Sequence, residues 1–230
     1  MSTQERHHRL LGEVVRSYVK EAEPVGSKTL ETKLGVSSAT IRNDMVTLEQ
    51  EGYLSQPHTS AGRVPTIKGF QYYLDNLMEV QAPKTTEQKL LREVLRRQLE
   101  AEASAKELAR QLSSLAKEAA LVAFSLERTY YTGLSHLFQQ PEFANVNMVR
   151  EIGYVVDHLD EGLRRLFKLT GTGVQVRLGS NNPFGEDCAI IYTNIHLSKQ
   201  PVLLGLLGPI RMDYEINIGR LNYVTQLIAN

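Results

Sequence analysis

The chain has no tryptophan, a single cysteine and no hydrophobic run of the roughly 18 residues that a membrane helix needs. One cysteine, Cys188, excludes an intramolecular disulfide and any zinc finger built on cysteines. The 26 basic and 26 acidic residues cancel, so no net charge marks a nucleic-acid-binding protein. The first residues contain no apolar stretch of signal-peptide length, so we expect a cytoplasmic protein with no membrane partner.

Signals for enzymatic chemistry are weak. No two of the six histidines have the spacing of a metal-binding pair, and the adjacent His7 and His8 cannot share one helical face, which favours a solvated N-terminus. The Gly171-Thr-Gly173 segment lacks the third glycine of a dinucleotide fingerprint. Cys188 begins an apolar strand, where a buried structural thiol is expected more often than a nucleophile. We therefore predict no catalytic site, no metal and no cofactor, and a protein that is not an enzyme.

The region from Ser27 to Thr66, which follows a first helix, has the pattern of a winged helix-turn-helix. A first helix carries an apolar face, a short second helix starts at Ser27 and stops at Gly35, and a third runs from about Ser38 to Glu51. A turn-rich segment then predicts a hairpin, and Thr66 can cap a further helix. The apolar face of the first helix comprises Leu10, Leu11, Val14, Val15, Tyr18 and Val19.

The third helix separates an apolar face from a polar one. Ile41, Met45 and Leu48 should face the core, which leaves Arg42 and Asn43 on the side suited to base edges of a DNA duplex. The free N–H groups at the helix start would favour phosphate, and the hairpin tip adds a cation. The candidate DNA-binding residues are Lys28, Ser37, Ser38, Thr40, Arg42, Asn43, Thr47, His58, Thr59, Ser60 and Arg63.

Two observations oppose this interpretation. A polar helical face is commonly just solvated, and Asp44 and Glu49 would repel DNA unless they point inward or pair with Arg42 or Lys33. Residues 1–75 are also balanced, with nine basic and nine acidic side chains, so the hypothesis depends on local arrangement alone.

Between Thr86 and Glu127 the chain contains neither glycine nor proline, which predicts a long helical segment. A heptad-like spacing along it predicts a dimer interface, and packing of the same residues on their own domain is an equal alternative. The residues of this predicted seam are Leu108, Leu112, Leu115, Ala119 and Val122.

The last hundred residues alternate helix and strand patterns, so the overall fold class is α+β. Helix is predicted over 145–169 and 211–228, and strands over 174–178, 189–195 and 202–207. The predicted domains are a winged helix-turn-helix at 1–82, a helical linker and dimer segment at 83–129, and an α+β domain at 130–230.

Several motifs resemble one family closely. The segments Glu23–Leu30, Leu34–Met45, Leu48–Leu54 and Gln56–Thr66 are similar to the HrcA family of heat-inducible transcription repressors. Later stretches, Gly133–Leu137, Pro141–Phe143 and Gly208–Tyr214, are similar to landmarks in the C-terminal part of that family. The chain departs from the family in length, since members are usually about a hundred residues longer and carry an inserted dimerisation subdomain.

This resemblance implies a repressor of chaperone operons of the groEL and dnaK type. It would bind an inverted-repeat operator in double-stranded DNA as a homodimer, and a GroEL-type chaperonin would help to keep it active. The C-terminal domain would be a truncated GAF-like regulatory domain without the insert. The alternative is a regulator of other genes whose GAF-like domain senses a small ligand.

Overall fold

The computed structural model describes residues 2–97, 100–141, 153–169 and 171–229. Within them helices and antiparallel sheet are both present, so the fold is α+β as expected. Backbone contacts divide the chain into two compact units, Met1–Glu79 and Val80–Asn230.

The N-terminal unit contains four helices and a short hairpin within its described residues. Helix α1 spans Thr3–Glu21, a 3-10 turn at Ser27–Leu30 continues into α2 (Glu31–Leu34), and α3 spans Ser38–Gln50. Strands β1 (Leu54–Ser55) and β2 (Val64–Pro65) pair antiparallel, and α4 spans Ile67–Asn76. The helices and the hairpin that the sequence predicts here are therefore present.

Local side-chain chemistry explains where these helices start and stop. The Ser37 hydroxyl accepts a hydrogen bond from the Thr40 amide at 3.3 Å, and the Thr66 hydroxyl accepts one from the Gly69 amide at 3.0 Å. Both are N-caps, which satisfy amides that have no partner inside the helix. Gly35 has a φ of +70°, a left-handed conformation that an L side chain rarely adopts, so it ends α2 and turns the chain into α3.

One apolar core joins α1, α3 and α4 in this unit. Leu10, Val14 and Ile41 are fully buried, and Phe70 is 1% exposed. The spacing of these residues along each helix matches the 3.6-residue period, which is why one face of each helix could be predicted. This packing fixes α3 with its opposite face turned to solvent.

The second unit is built on an antiparallel sheet with the strand order β4-β3-β7-β6-β5 within the described ranges. The strands are β3 (Ala119–Ala123), β4 (Thr129–Thr132), β5 (Val174–Leu178), β6 (Cys188–Leu197) and β7 (Gln200–Pro209). The helices are α5 (Thr85–Arg96), α6 (Ala101–Ala116), α7 (Leu134–Phe138), α8 (Leu159–Phe167) and α9 (Tyr214–Ala229).

Helices cover both faces of this sheet. A cluster that includes Leu121, Leu163, Ile190 and Tyr192 packs α7 and α8 on one face. Alternate strand residues point the other way, where α6 and α9 contact β3, β6 and β7. Cys188 is 3% exposed and belongs to the first cluster, which agrees with the structural thiol expected from the sequence.

The predicted helical seam is wrong in its second half. Ala119 and Val122 lie in β3, an inner strand of the sheet, and are fully buried there. The linker and dimer segment expected at 83–129 therefore contains two helices and a core strand, and the sheet starts before residue 130. Physically, Ala119–Ala123 is buried on both faces, so its unbroken apolar sequence lacks the alternation that marks a strand.

The first half of the predicted seam is helical, but its leucines are largely buried within this chain. Leu108 and Leu112 lie on α6 and are fully buried within this chain, whereas Leu115 is half-buried. The alternative that the seam packs on its own domain therefore accounts for these two leucines.

The chain at the start of the second unit is attached firmly to α9. Arg220 donates from Nε and Nη2 to the two carboxylate oxygens of Glu87, at 3.1 and 2.7 Å, and both side chains are nearly buried. The arginine holds the pKa of Glu87 below its usual range. Gly219 faces the Gln81 carbonyl so closely that a Cβ would lie 1.8 Å from the oxygen, so only glycine fits there.

The predicted helix over 145–169 is described only in part. Residues 145–152 of it lie outside the described residues, as do Glu142 and Phe143 of one family-like motif. The remainder contains a helical turn at 153–157 followed by α8.

Truncation of Leu108 tests its assignment to the core. Leu108→Ala should lower the free energy of unfolding of the second unit by about 2–5 kcal/mol, because a buried side chain is replaced by a cavity. The matched control is Leu90→Ala on α5, where the leucine is 48% exposed and the expected change is within about 0.5 kcal/mol. Urea unfolding measures both.

The same variant separates the core from the dimer assignment. The sedimentation coefficient of folded Leu108→Ala should equal that of the wild-type chain. A shift to a smaller species with unchanged stability would return Leu108 to a subunit interface.

Candidate nucleic-acid interface

Helix α3 is held by its buried face and by one charged residue. Asp44 lies on α3 and is only 6% exposed, and its buried carboxylate has three contacts to side chains of α1. Arg6 donates from Nε at 2.6 Å and from Nη2 at 3.0 Å, and His7 Nε2 lies 3.2 Å from the carboxylate. The Arg6 guanidinium holds the pKa of Asp44 below its usual range, and the His7 contact acts in the same direction.

The second carboxylate of α3 has a different partner. Glu49 accepts a hydrogen bond from Arg63 Nε at 3.0 Å, and Arg63 Nη2 forms an ion-pair contact with the same carboxylate oxygen at 2.9 Å. Neither Asp44 nor Glu49 pairs with Arg42 or Lys33, the partners considered from the sequence. Both acids of α3 are nevertheless neutralised, so the electrostatic objection to a DNA-facing α3 is largely removed.

A groove opens between the start of the 3-10 turn, α3 and the hairpin loop. Its lining includes Lys28, Arg42, Thr59, Ser60 and Arg63, five of the eleven residues predicted from the sequence. Lys28 and Arg42 are exposed, and within the described part of the chain neither is in an ion pair. The groove therefore combines two available cations with hydroxyl groups, the side chains that contact phosphate and base edges.

The other predicted residues divide by exposure. Asn43 and His58 are exposed but are not among the residues that line the groove. The Ser38 hydroxyl lies 2.8 Å from that of Ser27, and the Thr47 hydroxyl donates back to the Asn43 carbonyl at 3.3 Å. Ser38 and Thr47 are thus committed to local hydrogen bonds and are half-buried.

The start of α3 differs from expectation. The Ser38 amide donates to the Glu31 carboxylate at 2.7 Å, and the Thr40 amide donates to Ser37. Two of the N–H groups expected to be free for phosphate are therefore occupied. A carboxylate takes the place of an outside anion at this helix end, where the helix dipole favours negative charge.

The N-terminal histidines also differ from the prediction of a solvated segment. His7 contacts Asp44, and His8 Nε2 lies 2.8 Å from the Tyr72 hydroxyl on α4. Both histidines are half-buried. Adjacent residues on a helix point about 100° apart, so one turn of α1 can contact α3 and α4 at once.

Sequence reasoning missed three side chains of this region. Gln56 donates its amide to the carbonyls of Thr59 and Ala61, both at 3.0 Å, and so holds the hairpin loop. Glu31 and Arg6 act on α3 as described above. A polar side chain at the base of a turn hints at such a role, but its partner is set by the fold and not by sequence spacing.

Metal and membrane features were searched for over the described ranges. They contain no group of three or more His, Cys, Asp or Glu side chains arranged to hold a metal ion. No described helix combines the length and apolar character needed to cross a bilayer.

Known proteins resemble this chain along most of its length. The family model described as the HrcA protein C-terminal domain matches residues 37–218. A heat-inducible transcription repressor HrcA of Brevibacillus brevis is 28% identical over 327 aligned positions, which cover 96% of each chain. Another of the same name from Desulforudis audaxviator is 49% identical over 94 residues, or 40% of this chain and 27% of that protein.

Two further facts come from these comparisons. The 327-position alignment exceeds the 230 residues of this chain, so at least 97 of its positions have no counterpart here. A crystal structure of a hypothetical protein superposes with a TM-score of 0.68 at 20% identity, over 96% of this chain and 97% of that one, which shows a shared fold.

The Asp44 contacts predict how stability depends on pH. The folded-state pKa of Asp44 is lowered, so its ion pair contributes fully above the unfolded-state pKa of about 3.9 and is lost as the pH falls through the folded-state value. Asp44→Asn should therefore lower the melting temperature of the N-terminal unit between pH 7 and pH 5. The difference should start to narrow below about pH 3.9 and close as the pH falls through the lower folded-state pKa.

The control substitution is Glu23→Gln, since Glu23 is exposed. It should leave the melting temperature unchanged across the same range. A difference between wild type and Asp44→Asn that does not narrow as the pH is lowered below about 3.9, or that is absent at pH 7, would contradict the assignment.

Proposed function

The chain belongs to the HrcA family of heat-inducible transcription repressors, and we propose that it represses chaperone operons by binding an inverted-repeat operator in double-stranded DNA. In this proposal the N-terminal unit is a winged helix-turn-helix domain. Helix α3 enters the major groove, and the loop between β1 and β2 is the wing, which lies along the flanking backbone. Occupation of promoter DNA then blocks transcription.

The observation that carries this proposal is the groove beside α3. Arg42 and Asn43 are exposed on a helix whose other face is locked in the core, and Lys28, Thr59 and Ser60 border the same space. Arginine and asparagine can pair bidentately with guanine and adenine edges, and lysine and hydroxyl groups contact phosphates. Neutralised acids on α3 leave these groups free to meet a polyanion.

An inverted repeat calls for two copies of the domain related by two-fold symmetry. One domain alone buries little surface on a half-site, so a homodimer supplies the affinity. Leu108 and Leu112 cannot form the main contact between copies, because they are buried within one chain. The proposed partners are thus operator DNA, a second copy and, as the family resemblance implies, a GroEL-type chaperonin.

Titration of the purified chain onto the chaperonin promoter and onto a scrambled duplex tests the proposal. The promoter should bind more tightly at two salt concentrations, with both affinities falling as salt rises. Equal affinity for the two duplexes would refute a sequence-specific repressor.

Replacement of Arg42 tests the role of α3. Arg42→Ala should weaken promoter binding by about 1–3 kcal/mol while affecting the scrambled duplex less, because a base-edge contact is lost. Lys20→Ala is the control, since Lys20 is an exposed cation on α1 that does not line the groove. If both variants keep wild-type affinity at an unchanged melting temperature, Arg42 lies outside the interface.

A further inference from the structure

Arg63 was predicted from the sequence to contact DNA, but its side chain is bound to α3. Its guanidinium donates a hydrogen bond from Nε to Glu49 Oε2 at 3.0 Å, Nη2 forms an ion-pair contact with the same oxygen at 2.9 Å, and the Arg63 side chain is only 13% exposed. Arg63 belongs to the hairpin and Glu49 to the last turns of α3. The ion pair therefore joins the two elements that the proposed function places on DNA.

The main chain of Arg63 is fixed as well. Its N–H donates to the Val25 carbonyl and its carbonyl accepts from the Val25 N–H, both at 2.9 Å. A Cβ on Gly62 would lie 2.4 Å from the Val25 carbonyl oxygen, so glycine permits this close approach. With the Gln56 amide bound to the Thr59 and Ala61 carbonyls, the hairpin loop is braced on both sides.

For Arg63 to offer its Nε–Nη2 edge to a phosphate, as a bidentate contact needs, it would have to leave Glu49. That movement would leave an unpaired carboxylate on α3 beside a polyanion, and it would release the contact that aligns the hairpin with the helix. The charge gained at the phosphate would be offset by the charge exposed on Glu49. Lys28 and Arg42 line the same groove without such a cost.

We propose that Arg63 and Glu49 form a positioning pair that sets the wing against α3, so Arg63 acts on DNA affinity through Glu49 and does not contact phosphate. This inference rests on the proposed DNA-binding function. It assigns the direct cationic contacts of the groove to Lys28 and Arg42. The wing then meets DNA through its loop, at His58, Thr59 and Ser60, in a conformation already present in the free protein.

A double-mutant cycle separates positioning from contact. Arg63→Gln should weaken promoter binding at least tenfold, because Glu49 is left unpaired at the interface. Adding Glu49→Gln should recover most of that loss, because it removes the unpaired carboxylate and lets the two Gln amides hydrogen-bond between the hairpin and α3. The double variant should keep the wild-type dependence of log affinity on log salt. The double variant and the wild type carry the same net charge, which makes their salt slopes directly comparable.

A direct phosphate contact predicts the opposite. The double variant would then bind no better than Arg63→Gln, and its salt slope would be smaller than that of the wild type by about 0.9. Either result overturns the positioning pair. The matched control is the Arg16–Glu13 pair of α1, also 2.9 Å long, whose double Gln variant should bind DNA like the wild type.

A measurement on the wild type covers the case in which Arg63→Gln does not fold. The NMR signal of the Arg63 Nε–H should be slow to exchange in the free protein and should keep its chemical shift when duplex is added. A large shift or rapid exchange on binding would mean that the guanidinium leaves Glu49, which overturns the proposal.

The proposed function can fail independently of this pair. A wild-type chain with no preference for the promoter would refute the sequence-specific repressor. The cycle and the NMR signal could still be measured on any duplex that the chain binds, and they would report on the wing alone.

Discussion

Helix α3, which the proposed function places on DNA, carries two carboxylates, and the arrangement of the N-terminal unit depends on how both are neutralised. Asp44 is directed inward to Arg6 and His7, which ties the first turns of α1 to the middle of α3. Glu49 is bound to Arg63, which ties the end of α3 to the hairpin. A nearly buried carboxylate without such partners would be costly. The charges therefore fix the geometry as well as the electrostatics.

Because α3 is fixed at its middle and at its end, the groove beside it is formed before any ligand arrives. The hairpin loop is held by Gln56 and by the backbone contacts of Arg63 with Val25. Ordering a flexible loop on binding would cost conformational entropy, and a loop that is already ordered avoids part of that cost. Under the proposed function such preorganisation is valuable because, among the described residues, the exposed cations that line the groove are only Lys28 and Arg42.

The sequence predicted features whose cause is local. Ser37, Gly35 and Thr66 mark helix ends through contacts within a few residues, and the apolar period of α1 and α3 identifies their buried faces. The partners of charged side chains could not be predicted, since Arg6 and Asp44 are 38 residues apart and His8 and Tyr72 are 64 apart. Of the eleven candidate interface residues, exposed Arg42 and Asn43 follow from the helical period of α3, and exposed His58, Thr59 and Ser60 follow from the turn-rich segment. The commitment of Arg63 to Glu49 follows only from the fold.

In the second unit, strand β3 could not be predicted from the local sequence. Residues Ala119–Ala123 follow a helix without glycine or proline between them, and burial on both faces removes the alternation that would reveal β3. At least 97 positions of the alignment with the Brevibacillus brevis repressor have no counterpart in this chain. Each strand of the described sheet is nevertheless hydrogen-bonded to its neighbours. Leu108 and Leu112 help to cover that sheet. A face buried in this way cannot also be a subunit contact, so a two-fold partner must use another surface of the chain.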